Sequence, residues 1–231
     1  MISERAFSRL VRRLASLIRA DTASRRLAVD ALEDIDRERL IQRILSTIRN
    51  NSILLCGQPK SGKTEILLAL KERLVSVADP NTAFFPVYID LHGASEDLLF
   101  ATVADAVLKQ LACTSPSQIE KFDADYDHRD LANDLRSIIQ TLDQYGAKRA
   151  RLVLLVDGID ELNSYDPRTT QRVRSLFMTN LAENLVMVAS AVTIDKRWEQ
   201  EGSPWYNFFE EIELVPAHVN RSAQDRMPCD A

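Results

Sequence analysis

The feature that most constrains this chain is Gly57-Gln58-Pro59-Lys60-Ser61-Gly62-Lys63-Thr64, which fits G-x-x-x-x-G-K-[ST] at every fixed position. It follows the apolar run Ser52-Ile53-Leu54-Leu55-Cys56 and precedes Ile66, Leu67, Leu70 and Leu74 at helical spacing, so the order is strand, loop, helix. A loop so placed wraps a polyphosphate with successive backbone N–H groups, and the positive end of the next helix dipole points at the same charge. Gly57 and Gly62 allow the turn and the close approach, with Gln58, Pro59, Lys60 and Ser61 completing the cradle. Lys63 would reach the β- and γ-phosphates and the Thr64 hydroxyl would ligate Mg²⁺. The expected cofactors are ATP and Mg²⁺.

A second chemical signal is Arg151-Leu152-Val153-Leu154-Leu155-Val156-Asp157-Gly158-Ile159-Asp160-Glu161-Leu162. Consecutive apolar residues closed by a carboxylate read as a fully buried parallel strand, and ligands bind at the C-terminal ends of such strands. Asp157 is therefore expected beside the loop, holding the Mg²⁺ shell opposite Thr64. Hydrolysis also needs a group to polarise water, which a metal-committed Asp157 cannot supply; Asp160 and Glu161 both offer it, and the pattern does not choose. Leu185 to Ser190 reads as the next buried strand, carrying Ser190, Ala191 and Thr193 to the rim where a γ-phosphate would be sensed.

The remaining chain divides around these two stretches. Residues 1–30 are expected to form a basic amphipathic extension: Phe7, Leu10, Val11, Leu14, Leu17 and Ile18 share a helical face, and residues 1–26 hold seven arginines against Glu4 and Asp21, a local charge of +5. Packing of that stripe on a core, with solvated arginines, is the favoured reading; docking to an acidic surface is the other. Residues 31–217 are expected to be the core and 218–231 a polar tail. Within the core the pattern predicts a helix over 32–48, a strand over 84–91 with Pro86 near its start or on an edge, and a helix over 96–111 capped by Ser95. Further helices are predicted over 130–145, stopping at Gly146, and from Asp166-Pro167 to about Leu181. A short helix is predicted from Ser203-Pro204 through Phe208, and a last strand over 211–215. His92, just past the strand over 84–91, could approach a nucleotide, with an ordinary loop histidine the favoured reading. Asp123-x-Asp125-x-Asp127 has the opening of a calcium loop, but His128 stands where the turn needs glycine and Asp134 where a bidentate Glu belongs, so a solvated loop is expected. Arg168, Arg172 and Arg174 are candidate arginine fingers, with ordinary surface arginines the simpler reading.

Composition excludes several classes. A net charge of −5 argues against a protein that coats nucleic acid. Three scattered cysteines, Cys56, Cys113 and Cys229, suit reduced thiols, and no apolar stretch has transmembrane length; a cytoplasmic protein is expected.

From about Glu38 to Pro216 the sequence resembles the AAA+ and STAND branch of P-loop ATPases, including origin-recognition-like and NACHT-like groups. The resemblance is carried by Gly57 to Thr64 and by the D-G-h-D-E form of Asp157 to Glu161, with Ser203-Pro204-Trp205-Tyr206-Asn207-Phe208-Phe209 and Ile212-Glu213-Leu214 resembling the end of such a core. It implies a three-layer α/β fold with a doubly wound parallel sheet of about five strands, and ATP-driven conformational or assembly switching. Two departures stand out: Ala189-Ser190-Ala191-Val192-Thr193 lacks the arginine usual after the fourth strand, and the chain ends before a helical lid and winged helix. ATP binding is thus a firmer expectation than efficient turnover. The alternative is a nucleotide-dependent scaffold that docks a partner through the arginine-rich N-terminal segment. Self-association or a protein partner is expected, and nucleic acid is an open partner. A GTPase is disfavoured because no N-K-x-D motif occurs, a small-molecule kinase because no basic lid is found, and an ABC ATPase because no serine-glycine-glycine signature follows the insertion.

Overall fold

The computed structural model describes residues 36–49, 51–111, 127–146, 148–178, 183–193, 195–201, 203 and 205–214. The chain divides into two compact units, Met1–Arg43 and Ile44–Ala231. In the first, residues 36–43 are helical. The expected amphipathic helix of the first twenty residues, the Asp123-x-Asp125 stretch, Leu181 and the C-terminal tail lie outside the described residues.

In the second unit, helical residues 44–47 lead into β1 (Ser52–Cys56). Then follow α1 (Lys63–Ser76), β2 (Thr82–Asp90), α2 (Leu99–Leu111), α3 (His128–Tyr145), β3 (Arg149–Asp157), α4 (Pro167–Met178), β4 (Leu185–Ala191) and β5 (Phe209–Glu213). The strands form one sheet in the order β2-β3-β4-β1-β5, and every neighbouring pair is parallel. Strands buried on both faces read as unbroken apolar runs, which is why β3 and β4 are legible in Leu152–Val156 and Leu185–Ser190, β4 running one residue further to Ala191.

Side-chain alternation splits the sheet into two faces. Val87 and Ile89 of β2, Leu152, Leu154 and Val156 of β3, and Met187, Ala189 and Ala191 of β4 join one cluster with Leu99 of α2, Leu131 and Leu135 of α3, Leu176 of α4, Trp198 and Trp205. Ile53, Leu55, Val153, Leu155, Val186 and Val188 are buried on the other face, where α1 supplies Ile66, Leu67, Leu70 and Leu74. This is the three-layer, doubly wound fold that the sequence predicts. The chain leaves β1 toward α1 on one face and leaves β4 toward Trp198 and Trp205 on the other. Connections that part in this way open a crevice between the two strand ends, here between β1 and β4.

Local boundaries depart from expectation where tertiary contacts decide them. Strand β2 starts two residues early, since its register with β3 runs unbroken from Thr82 opposite Arg149 to Asp90 opposite Asp157. Pro86 sits inside β2, which is an edge strand. Ser95 makes no side-chain cap; residues Glu96–Leu98 form a 3₁₀ turn before α2 begins. α3 starts earlier than 130 because Asp127 caps it, accepting from the N–H groups of Arg129 and Asp130 in a capping box with Asp130. Gly146 does end α3, and a Cβ there would come within 2.8 Å of the Leu142 carbonyl. The helix predicted through Phe208 is instead a run of turns at 205–208, with Asn207 at φ 53°, and β5 begins at Phe209 rather than 211. Aromatic packing explains this: Trp205 lies against Trp198 on one side and Phe209 on the other, with ring centroids 5.2 and 5.4 Å away.

Candidate functional site

The loop Gly57 to Thr64 joins β1 to α1 as its spacing requires. Gly62 takes φ 88°, a conformation that favours glycine, while Lys60 adopts φ 67° despite its side chain. Gly57 is needed for a different reason: a Cβ on it would lie 2.6 Å from the Leu214 carbonyl and 2.8 Å from Ser61 Oγ. The end of β5 thus presses on the loop from one side, and Gly57 N–H donates to Ala191 O at 3.2 Å on the other. Gln58, Pro59 and Lys60 are exposed at the tip. Lys63 is buried, and its ammonium donates to the carbonyls of Gly57 at 2.7 Å and Gln58 at 3.0 Å.

The second cluster surrounds Asp157. In β3 the alternation that sends Val156 to the helical cluster turns Asp157 to the α1 side, and the pairing of Val156 with Ala189 puts Ser190 beside it. Thr64 Oγ1 donates to Asp157 Oδ2 at 2.6 Å, joining residues 93 apart in sequence. Tyr88 OH donates to the same oxygen at 3.0 Å, and Ser190 Oγ donates to Oδ1. Burial raises the Asp157 carboxyl, but the bonds from Ser190, Thr64 and Tyr88 more than offset that and hold it below the usual range. Ser190 is itself buried and accepts from Gly158 N–H at 3.2 Å, so its hydroxyl links strand β4 to the D-G turn.

Asp160 and Glu161 part company after the turn at Gly158. Both lie on a 3₁₀ segment, Ile159–Ser164. Asp160 Oδ2 accepts from Val192 N–H at 3.3 Å, beyond the end of β4, whereas Glu161 Oε1 accepts from Gly93 N–H at 3.1 Å, beyond the end of β2. In the sheet order β4 lies next to β1, whereas β2 lies at the far edge, three places from β1, so Asp160 is on the loop side and Glu161 on the far side. Consistent with this, burial followed by the charges of Glu211 and Glu213 pushes the Cys56 thiol up to about 11, with Lys63 opposing and Asp160 adding to the rise.

Two further groups join the site from the β2 side. The sequence pattern marks Tyr88 only as a strand residue. His92 is more than a loop histidine: its Nδ1 lies 2.6 Å from Asp90 Oδ1, and its ring fills the space where a Cβ on Gly158 would lie, at 2.9 Å. The Asp90 hydrogen bond raises the His92 pKa, and burial opposes it. The phase of β2 was the available signal, because Tyr88 and Asp90 alternate with the core residues Val87 and Ile89. Among the arginines of α4, Arg174 donates to Ser203 O at 3.3 Å and lies 5.9 Å from the centre of the Phe208 ring, while Arg168 and Arg172 are exposed. Among the described residues there is no group of three or more His, Cys, Asp or Glu side chains placed to hold a metal ion, and no helix is long and apolar enough to cross a membrane.

A five-stranded parallel sheet with this loop at the crevice and a hydroxyl-bonded aspartate on the strand two places from the loop-bearing one defines a P-loop NTPase. Within that class the chain belongs to the AAA domain family, whose model matches residues 46–190. The fold is shared with a Walker-type ATPase of Pyrococcus abyssi, at TM-score 0.53 and 14% identity over 83% of this chain and 59% of that one. It is shared also with the ORC1 protein of Aeropyrum pernix in complex with DNA, at TM-score 0.54 and 16% identity over 83% of this chain and 49% of that one. Drosophila ORC bound to DNA gives TM-score 0.56 and 15% identity over 85% and 48%. The chain therefore spans about half to three-fifths of these proteins. No curated protein matches it.

Proposed function

We propose that this AAA domain binds ATP with Mg²⁺ and hydrolyses it, and that the cycle switches the conformation or assembly of a larger complex. The observation carrying the reading is the 2.6 Å contact between Thr64 and Asp157. It pairs a hydroxyl with a carboxylate next to an ammonium coordinated by loop carbonyls, an all-oxygen donor set of the kind Mg²⁺ prefers. When bound, Mg²⁺ neutralises charge on the β- and γ-phosphate oxygens.

The protein's own groups have distinct tasks in this reading. The loop N–H groups bind the phosphates, and Lys63 exchanges the Gly57 and Gln58 carbonyls for phosphate oxygens. Thr64 and Asp157 hold the metal, and Ser190 keeps the Asp157 carboxylate oriented from β4. Asp160 is the better candidate for polarising water because its contact with Val192 keeps it toward the loop, while Glu161 orders the residues after β2. Thr193, exposed past the end of β4, is free to meet a γ-phosphate. A nucleic-acid partner, as in the ORC structures bound to DNA, self-association, and membership of the STAND subgroup belong to the same reading.

Calorimetric titration with ATP, ADP and GTP in Mg²⁺, with phosphate release measured on the same samples, tests it. ATP should bind, Lys63→Ala should lose at least a hundredfold in affinity, and Asp160→Asn should cut release more than Glu161→Gln does. Binding with no release in the wild type would leave a nucleotide-dependent scaffold. No binding at all would overturn the site.

A further inference from the structure

We infer that Tyr88 is a positioning residue for the metal-binding carboxylate of Asp157, and that Gln110 and Lys71 clamp it in place. The inference rests on the Mg²⁺ reading above. Asp157 accepts from three hydroxyls, and two of them, Thr64 and Tyr88, share Oδ2. Thr64 has a second task as a metal ligand. Tyr88 reaches in from β2, an edge strand three places from the loop-bearing β1.

An edge strand is a poor platform for a precise contact, since one row of its backbone groups lacks a strand partner. At Tyr88 this deficit is filled by one side chain. Gln110 Oε1 accepts from Tyr88 N–H at 3.0 Å, and Gln110 Nε2 donates to Tyr88 O at 2.6 Å, the pair of bonds that a further strand would make. Lys71 Nζ then donates to the same Gln110 Oε1 at 2.6 Å. Two residues earlier Pro86 turns the same side of its backbone to the edge, where its missing N–H costs no ladder bond. The clamp therefore acts on the one residue of this edge whose side chain touches Asp157.

The clamp also joins the two halves of the site. Lys71 and Thr64 lie on α1, seven residues apart, so the helix that begins at the phosphate loop reaches Asp157 twice. One route is direct, through Thr64, and the other runs through Lys71, Gln110 and Tyr88. Partners that orient a ligating carboxylate typically matter tenfold or more for metal affinity.

The test compares wild type, Tyr88→Phe, Gln110→Ala and Asp157→Asn by titrating a fluorescent ATP analogue in EDTA and across a Mg²⁺ series, with Mn²⁺ electron paramagnetic resonance as the spectroscopic readout. Tyr88→Phe should keep the metal-free affinity of wild type and stay folded, with only a small drop in the unfolding midpoint from the lost hydrogen bond. It should raise the Mg²⁺ concentration for half-maximal enhancement about tenfold and alter the Mn²⁺ line shape. Gln110→Ala should move both in the same direction by less, since it leaves the phenol in place. Unchanged Mg²⁺ dependence in Tyr88→Phe, while Asp157→Asn abolishes it, overturns the role of Tyr88 and leaves the metal site standing. Loss of metal-free binding or of the fold in Tyr88→Phe, with no metal effect in Gln110→Ala, overturns it in favour of a structural contact. Absence of any Mg²⁺ dependence in the wild type overturns the metal reading and this inference together.

Discussion

The two halves of the site are built on opposite principles. The phosphate loop is a local object: eight consecutive residues, a left-handed Gly62 and a lysine whose ammonium is held by carbonyls five and six residues away. The Asp157 cluster is assembled from afar, with donors on α1, β2 and β4, separated from it by 93, 69 and 33 residues. A local motif tolerates few substitutions because its backbone is the working part. A distributed cluster spreads its dependence over several side chains, each replaceable at a smaller cost.

Gly57→Ala should give the largest effect. The added methyl would meet backbone, the Leu214 carbonyl at 2.6 Å, so β5 or the loop must shift. A stability loss at or above about 3 kcal/mol is expected with loss of ATP binding, read by denaturant unfolding and titration. Near-normal stability would show that β5 does not constrain the loop.

Ser190→Ala attacks the distributed half. It removes a donor from Asp157 and leaves Gly158 N–H without its acceptor, for a loss of about 1–3 kcal/mol. Because Thr64 and Tyr88 remain, ATP affinity without Mg²⁺ should change less than twofold while the Mg²⁺ enhancement falls. Equal loss of both would mean that the two halves are one unit.

Gly158→Ala probes the same half at its turn. Its φ of 74° is left-handed and costs an L-residue about 1–2 kcal/mol, but the clash is with the His92 ring, a side chain able to move. The unfolding midpoint should fall less than for Gly57→Ala, and His92→Ala should recover part of the loss.

The smallest effect concerns Asp79, away from both halves. Backbone hydrogen bonds from Asn81 and then Thr82, with Arg49 nearby, hold its carboxyl below the usual range against the effect of burial. A lowered value means that its contribution is full above the ordinary carboxylate range, about pH 4, and is lost as pH falls through the lowered value. Acid unfolding should therefore be shallower in Asp79→Asn, as followed by circular dichroism. An unchanged profile would remove Asp79 from the acid response.

By itself the sequence determined the sheet class, the loop, and Asp157 as the end of a buried strand, because these follow from consecutive residues whose geometry is local. Glycine positions, an apolar run and helical spacing act within a few residues and need no partner elsewhere. Register and strand order decided the rest. The pairing of Asp90 with Asp157 brought Tyr88 and His92 to the site, and the place of β4 between β3 and β1 sent Asp160 and Glu161 in opposite directions. Aromatic contacts among Trp198, Trp205 and Phe209 replaced the helix that Ser203-Pro204 suggests. Such outcomes depend on contacts between residues far apart in the chain, and a pattern confined to neighbouring residues carries no record of them.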